Sequence, residues 1–275
     1  MAGKFENVII ASDMDGTFLT SRETGMDRNI RAVEYFKSQG GHFTFSTGRN
    51  YLQILSAVPQ APVLVNMPAV TCNGSSLYDM AAGVELEGHP VDKDTVQDLA
   101  NFLATQPGPI GIRGGTSDFF VYNELNNPYI RSDFQELPPD HRAIQPTHTW
   151  GTLPINKLAV RAEAEILDRV RPLLTERFQG RLEVTRSDPT LVDIQAAGRT
   201  KAVLLEEVVR SRFDRSMFLC VAGDYDNDLE MLGLADLPCC PSNAVPCVKE
   251  VCEKIFCSNH EGVIGDIVEY LDRLF

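Results

Sequence analysis

The sequence predicts an α/β protein in which the two ends of the chain share one parallel β-sheet and the middle forms an inserted unit. Strands and helices alternate in both end segments, and this order builds right-handed strand–helix–strand units with parallel strands. The chain has 275 residues, more than the roughly 100–200 residues of an ordinary domain. We therefore predict a core from residues 1–87 and 190–275, and an inserted α/β unit from residues 88–189.

The N-terminal elements follow from the spacing of apolar residues. Residues 7–12 form an apolar run that ends in polar residues, which is typical of a buried strand. Helical spacing then predicts a helix that ends at Gly40, because helices commonly end at a glycine in a left-handed conformation. A second strand at 42–46 and a second helix at 51–58 complete the first half of the core.

The C-terminal segment repeats this alternation. It contains a helix, a near-continuous apolar strand and two further helices, predicted at residues 201–213, 217–222, 226–234 and 263–274. The insert is predicted to contain two helices, at 92–105 and 163–178, and four strands, at 110–113, 119–122, 155–161 and 182–185. Residues 136–150 are rich in proline, histidine and polar residues without periodicity, so we predict a loop there.

Composition and charge restrict the class of partner. Lys and Arg total 25 against 38 Asp and Glu, which gives a net charge of −13 and argues against nucleic acid or an anionic membrane as a partner. No apolar run of about 18 residues occurs, so we expect a cytoplasmic protein whose oligomeric state stays open. The seven cysteines, five of them within residues 239–257, are expected to be reduced thiols, with zinc or disulfide chemistry as the less favoured alternatives.

Two carboxylate-rich segments directly follow predicted strands. They read DMDGT at residues 13–17 and GDYDND at residues 223–228. Because ligands bind at the carboxyl ends of parallel strands, the two segments would meet if their strands are neighbours. Two carboxylates about 5 Å apart repel by about 3 kcal/mol at an effective dielectric near 20, so a cation is expected between them. Oxygen ligands favour Mg²⁺. Either segment alone could be a turn or a helix cap.

Four segments, in this order, resemble the motifs of the haloacid dehalogenase superfamily: DMDGT at 13–17, STGR at 46–49, Lys201, and GDYDND at 223–228. The insert lies between the second and third motifs. Together with TCNG at 71–74 and SNA at 242–244, this is similar to the Cof-like subclass IIB phosphatases. The resemblance implies a Rossmann-like core, with helices on both sides of a parallel sheet, and an α/β cap domain formed by the insert. Ala202 departs from the glycine that many relatives have.

The resemblance also implies a role for each motif residue. Asp13 resembles the nucleophile that forms an aspartyl-phosphate. Asp15 resembles the general acid and base, a role that predicts a raised pKa for its carboxyl group. The expected Mg²⁺ ligands are Asp13, the backbone carbonyl of Asp15, Asp224 and Asp228. The expected phosphate-binding residues are Thr47, Lys201 and Asn227.

Other residues have weaker assignments. Arg49 and Asn73 are possible substrate contacts, and a structural ion pair is an equal alternative for Arg49. Asp226 is expected to cap a helix. In the cap, the polar or aromatic candidates are Arg113, Asp118, Tyr122, His148 and Trp150, and a structural or solvent-exposed role is favoured for each.

The implied function is a Mg²⁺-dependent phosphomonoester hydrolase that acts on small phosphorylated metabolites, with sugar phosphates as the expected class. Two alternatives stay open. A sugar phosphomutase would share the core chemistry and return the phosphoryl group to a sugar hydroxyl. A non-catalytic metabolite-binding protein could retain the fold, although all motif carboxylates are present here.

Overall fold

A computed structural model describes residues 3–116, 118–135, 137–213 and 216–275. The strands are β1 (Val8–Ser12), β2 (His42–Phe45), β3 (Ala69–Thr71), β4 (Ser76–Asp79), β5 (Val84–Gly88), β6 (Gly111–Gly115), β7 (Phe120–Tyr122), β8 (Arg142–Ile144), β9 (Lys157–Arg161), β10 (Leu182–Asp188), β11 (Leu191–Ala196), β12 (Phe218–Ala222), β13 (Leu237–Pro241) and β14 (Lys254–Phe256). The helices are α1 (Glu23–Ser38), α2 (Tyr51–Ala57), α3 (Ala61–Leu64), α4 (Lys93–Ala104), α5 (Pro128–Gln135), α6 (Ala164–Arg177), α7 (Lys201–Arg212), α8 (Leu229–Leu232), α9 (Pro246–Val251) and α10 (Val263–Leu274).

The core is a five-stranded parallel sheet in the order β14-β13-β12-β1-β2. All five residues of β1 are buried, as expected for a parallel strand covered on both faces. Val8 and Ile10 join the apolar cluster that includes residues of α1 and α10, while Ile9 and Ala11 join the one that includes residues of α7 and α8. Because β1 and β12 are neighbours, the two carboxylate segments that follow them meet at one edge of the sheet.

The insert is a six-stranded sheet in the order β10-β11-β9-β6-β7-β8. Its apolar face packs with residues of α4 and α6 around side chains such as Leu158 and Val192. The residues next to these in sequence, Lys157 and Asp193, lie on the opposite face because side chains alternate along a strand. That polar face borders the core.

The predicted boundary of the insert at residue 189 lies too early. Strand β11 pairs antiparallel with both β10 and β9, so the insert sheet extends to Ala196. The turn that contains Pro189 joins two strands of one sheet, and the Asp188 carboxylate accepts hydrogen bonds from the backbone and hydroxyl of Thr190. The turn at residues 189–190 therefore lies inside the insert, between β10 and β11.

The predicted loop at 136–150 is only partly irregular. Glu136 lies outside the described residues, and β8 pairs parallel with β7 at the edge of the sheet. Trp150 is fully buried, with its indole N–H donating to the Gln145 carbonyl at 3.1 Å, so it has a packing role. No helix within the described residues is long and apolar enough to cross a membrane.

Candidate active site

Asp13 lies directly after β1, at the point where the two halves of the core meet. Its backbone N–H donates to the carbonyl of Ala222, the last residue of β12, at 2.8 Å. The chain then makes a tight turn in which Gly16 has φ +75°. A Cβ on Gly16 would lie 2.2 Å from a carboxylate oxygen of Asp224, so only glycine allows the two segments to approach this closely.

Lys201 is the cation of the site. It is the first residue of α7, and the hydroxyl of Thr200 caps this helix by accepting the backbone N–H of Val203. Its Nζ lies 2.6 Å from Asp13 Oδ1 and 2.7 Å from Asp228 Oδ1, in surroundings almost closed to solvent. Burial alone would lower the pKa of Lys201, but the two carboxylates hold it above its ordinary value.

The second carboxylate segment is fixed by its own hydrogen bonds. Asp228 Oδ2 accepts the backbone N–H groups of Asp224 and Tyr225 at 2.9 and 3.1 Å. Asp224 Oδ1 accepts the hydroxyl of Thr17 at 3.0 Å. Asp226, expected to cap a helix, is instead the first residue of a short turn that Asp228 stabilises. The motif therefore directs Asp224 and Asp228 toward Asp13 and leaves Asp226 exposed.

The resulting cluster fits a divalent cation. Carboxylate oxygens of Asp13, Asp224 and Asp228 lie within 4.8 Å of one another. Burial, together with the neighbouring carboxylates, raises the pKa of Asp13 well above its usual range, against the opposing effect of Lys201. Burial and Asp228 also raise the pKa of Asp224, to about 7. Three acids around one lysine thus favour more positive charge, and an all-oxygen donor set suits Mg²⁺.

Asp15 does not belong to this cluster through its side chain. Arg49 binds its carboxylate in a bidentate manner, with Nε 2.8 Å from Oδ2 and Nη2 2.6 Å from Oδ1. Partial loss of hydration would raise the pKa of Asp15, but the hydrogen bonds and charge of Arg49 outweigh it and hold the pKa below its ordinary value. The predicted raised pKa of Asp15 is therefore wrong for this arrangement, and Arg49 forms the ion pair that was its alternative role.

The predicted phosphate-binding residues occupy different depths. Asn227 lines the cavity above Asp13. Thr47 is fully buried, and its hydroxyl accepts the backbone N–H of Arg49 at 3.2 Å. Among the described residues that line the cavity are its neighbours Gly48 and Arg49, but not Thr47. Thr47 thus shapes the loop that borders the cavity.

Asn73 connects the core to the cap. Its Nδ2 donates to Asp193 Oδ2 at 2.8 Å, and its Oδ1 accepts Asn227 Nδ2 at 3.5 Å. Its backbone is left-handed, with φ +57°, an uncommon conformation for a residue other than glycine. The structure therefore gives Asn73 a bridging position between Asn227 and the cap.

A cavity of about 450 Å³ lies between Asp13 and the polar face of the cap. The cap residues that line it are Arg113, Asp133, Lys157, Arg161, Ser187, Asp188, Leu191 and Asp193. Of the cap candidates named from the sequence, only Arg113 lies there. His148 is exposed and Tyr122 is fully buried, while Asp118 is exposed and lies outside the cavity.

Sequence reasoning missed Lys157 and Asp193. A signal for both was present, because each charged residue alternates with apolar neighbours inside a strand, and one face of that strand must therefore be polar. The sequence does not say which element borders that polar face. Only the folded structure shows that this polar face of the cap sheet borders the cavity that contains Asp13.

Comparison with known proteins decides the family. The sequence model of the haloacid dehalogenase-like hydrolases matches residues 10–268 of this chain. The chain belongs to this family. The family predicted from the four motifs is thus confirmed, and the match runs from β1 to α10, so it includes both halves of the core and the cap.

Relatives of this hydrolase extend over most of its length. The pyridoxal phosphate phosphatase YbhA of Escherichia coli K12 is 29% identical over 253 residues, which cover 88% of this chain and 90% of the relative. The 5-amino-6-(5-phospho-D-ribitylamino)uracil phosphatase YcsE of Bacillus subtilis 168 is 24% identical over 262 residues, covering 95% and 94%.

Solved structures of the family share the fold. A haloacid dehalogenase-like hydrolase from Bacteroides thetaiotaomicron superimposes with a TM-score of 0.78 at 24% identity, covering 97% of this chain and 99% of that chain. A subclass IIB sugar phosphatase gives a TM-score of 0.79 at 18% identity, covering 96% and 98%. These likenesses confirm the predicted fold, a parallel α/β core with an inserted cap.

Proposed function

We propose that this hydrolase is a Mg²⁺-dependent phosphomonoesterase that acts in the cytoplasm on small phosphorylated metabolites. The observation that carries the proposal is the position of Asp13. Its carboxylate lies 2.6 Å from Lys201 and within 4.8 Å of two further carboxylates, and Asp13 lines a cavity of about 450 Å³ beneath the cap. This arrangement places a nucleophile, a cation and a candidate metal site beside one another at the base of the cavity.

The metal would be held by Asp13, the backbone carbonyl of Asp15, Asp224 and Asp228. When bound, Mg²⁺ supplies positive charge to the phosphate oxygens and to the crowded carboxylates. Lys201 orients the Asp13 carboxylate, because its Nζ also binds Asp228, which is itself fixed by two backbone N–H groups.

The reaction has two balanced steps. In the first, the Asp13 carboxylate attacks phosphorus, the ester P–O bond breaks, and Asp15 donates a proton to the leaving alkoxide. In the second, Asp15 takes a proton from water, the water oxygen attacks phosphorus, the bond between the Asp13 oxygen and phosphorus breaks, and inorganic phosphate and the free Asp13 carboxylate are released. Arg49 holds Asp15 ionised in the present arrangement, so its contact must open before Asp15 carries a proton.

The phosphate would be bound beside Asn227, Lys201 and the loop that contains Thr47. For the leaving group, we propose a sugar phosphate or a comparable polar metabolite. Two observations support this: the cavity wall formed by the cap is mostly polar, and two relatives are named as phosphatases of pyridoxal phosphate and of a phosphoribitylamino-uracil.

The test is turnover of p-nitrophenyl phosphate with Mg²⁺, with EDTA, and in Asp13→Asn. We expect EDTA and Asp13→Asn each to lower kcat/KM at least about 10³-fold, because each removes an element of the nucleophilic step. Asp226→Asn is the matched control, since Asp226 belongs to the same motif segment as Asp224 and is exposed. Equal rates in all samples would refute the mechanism.

Product analysis separates the hydrolase from the mutase. With a hexose phosphate as substrate, the proposed enzyme releases inorganic phosphate in amounts equal to the sugar formed. Conversion to a positional isomer without phosphate release would instead identify a phosphomutase, and no turnover of any phosphate ester would identify a binding protein.

A further inference from the structure

Asp193 is a buried cap carboxylate whose two oxygens have unlike surroundings. Oδ2 accepts Ser187 Oγ and Asn73 Nδ2 and lies beside Lys157 Nζ, each at 2.8 Å. Oδ1 is buried as well, yet it has no hydrogen-bond partner among the described residues. A buried acceptor without a donor is unfavourable, and such groups in native proteins usually have a partner.

Asp193 lines the cavity that also contains Asp13. Its position close to the reacting phosphate follows from two short chains of contacts. Asn73 joins Asp193 to Asn227, and Lys157 Nζ donates to the carbonyl of Gly48 at 2.7 Å, beside the loop that borders the phosphate site. A group that reaches Asp193 would therefore belong to the part of the substrate next to the ester.

The charge of the cap wall restricts that group further. Each cap cation on the wall already faces a carboxylate. Arg113 lies 2.8 Å and Arg161 3.4 Å from Asp133, and Lys157 lies 2.8 Å from Asp193. A second anionic group on the substrate would have to displace one of these pairs. A neutral or cationic group on the substrate would leave these ion pairs intact.

We propose that Asp193 is a specificity-determining residue, whose Oδ1 accepts a hydrogen bond from a hydroxyl or ammonium group on the leaving group close to the phosphate ester. The proposal rests on the phosphomonoesterase function proposed above. It explains why one oxygen of a buried carboxylate has three polar partners while the other has none in the part of the chain that the structure describes. A site built to bind a donor discriminates strongly against a substrate that lacks it.

The test uses three phosphate esters with the same carbon chain: propyl phosphate, glycerol 3-phosphate and 3-aminopropyl phosphate. In the wild-type enzyme we expect kcat/KM for at least one donor-bearing ester to exceed that for propyl phosphate by more than about tenfold. The preferred ester tells a hydroxyl from an ammonium partner. In Asp193→Asn we expect this ratio to fall at least about tenfold, because the amide offers an uncharged and weaker acceptor.

The ratio of kcat/KM values for two esters is measured on one enzyme preparation. A smaller fraction of folded enzyme lowers both values equally and leaves the ratio unchanged. Asp118→Asn is the matched control, because Asp118 is an exposed cap carboxylate outside the cavity, and its ratio should equal that of the wild type. If Asp193→Asn does not fold, the double variant Lys157→Met/Asp193→Asn removes both buried charges together.

Three outcomes overturn the inference. The wild type could hydrolyse all three esters equally well, the ratio could be unchanged in the Asp193 variants, or p-nitrophenyl phosphate could be hydrolysed while both donor-bearing esters are refused. In these cases the proposed function stands. If the wild type hydrolyses no phosphate ester, p-nitrophenyl phosphate included, the proposed function fails and the inference fails with it.

Discussion

Gly16 is the residue that lets the two carboxylate segments approach each other. Its φ of +75° is costly for other residues, and an added Cβ would meet the Asp224 carboxylate at 2.2 Å. We expect Gly16→Ala to cost about 1–3 kcal/mol of unfolding free energy. It should also lower kcat/KM at least about 100-fold, because Asp224 must move. Urea unfolding and p-nitrophenyl phosphate turnover measure the two effects.

Gly198 provides the control for this change. Its φ is +73°, almost the same, but an added Cβ there would meet nothing within 4 Å. Gly198→Ala should therefore share the backbone strain of Gly16→Ala and keep wild-type kcat/KM. Equal activity in the two variants would show that the close approach to Asp224 is unimportant.

At the scale of elements, one partly buried carboxylate joins α10 to its neighbours. Asp266, in the first turn of α10, accepts the backbone N–H of Cys257 at 3.0 Å and Arg28 Nη2 of α1 at 2.6 Å. Burial would raise the pKa of Asp266, but these hydrogen bonds, the Cys257 thiol and the charge of Arg28 hold it below its ordinary value. Glu269 binds the same Arg28 from a more exposed position.

We expect Asp266→Asn to lower the unfolding free energy at pH 7 by about 1–3 kcal/mol, the usual value for charge-assisted hydrogen bonds. Because the folded-state pKa of Asp266 is depressed, its stabilisation is present above the unfolded pKa of about 3.9 and is lost as the pH falls through the folded pKa. The difference from wild type should thus shrink below about pH 4. Glu269→Gln should cost less than about 1 kcal/mol. Urea titrations between pH 3 and 7 test this, and an equal cost for both variants would contradict it.

The strands that sequence reasoning found and missed differ in a physical way. β1 and β12 are buried on both faces, so each is a nearly continuous apolar run. Such a run can be recognised as a strand without knowing what packs against it. β11 has one apolar face and one polar face, so its sequence does not form a continuous apolar run, and it lies beyond the predicted end of the insert at residue 189. Of the strands that were not predicted, β3, β8 and β14 have only three residues each, which is too few to show a clear period, although β7 has the same length and falls within the predicted strand at 119–122.

At the scale of the whole molecule, the site also contains residues that local sequence identifies and residues that only the folded structure brings together. The convergence of Asp13, Lys201, Asp224 and Asp228 could be predicted because their segments resemble the ordered motifs of the haloacid dehalogenase family. Lys157 and Asp193 lie 36 positions apart in the sequence, and only the antiparallel pairing of β9 with β11 brings them together. The ion pair between Asp15 and Arg49 also depends on the assembled fold. It lowers the pKa of Asp15, whereas the sequence predicts a raised pKa.

The net charge of −13 makes binding of a phosphate dianion depend on the local field. Among the described residues, Lys201 is the cation bound to this cluster, through Asp13 and Asp228, so a bound divalent cation should relieve the remaining repulsion between the three carboxylates and stabilise the folded state. At a free Mg²⁺ concentration of 100 Kd the gain in unfolding free energy is about 2.7 kcal/mol for one site.

We therefore expect Mg²⁺ to raise the Tm of the wild type in a saturable way. Asp224→Asn should abolish most of this shift, whereas Asp226→Asn, altered at an exposed position of the same segment, should keep it. A calorimetric titration in the absence of substrate measures the effect independently of catalysis, and an equal shift in the two variants would place the metal elsewhere.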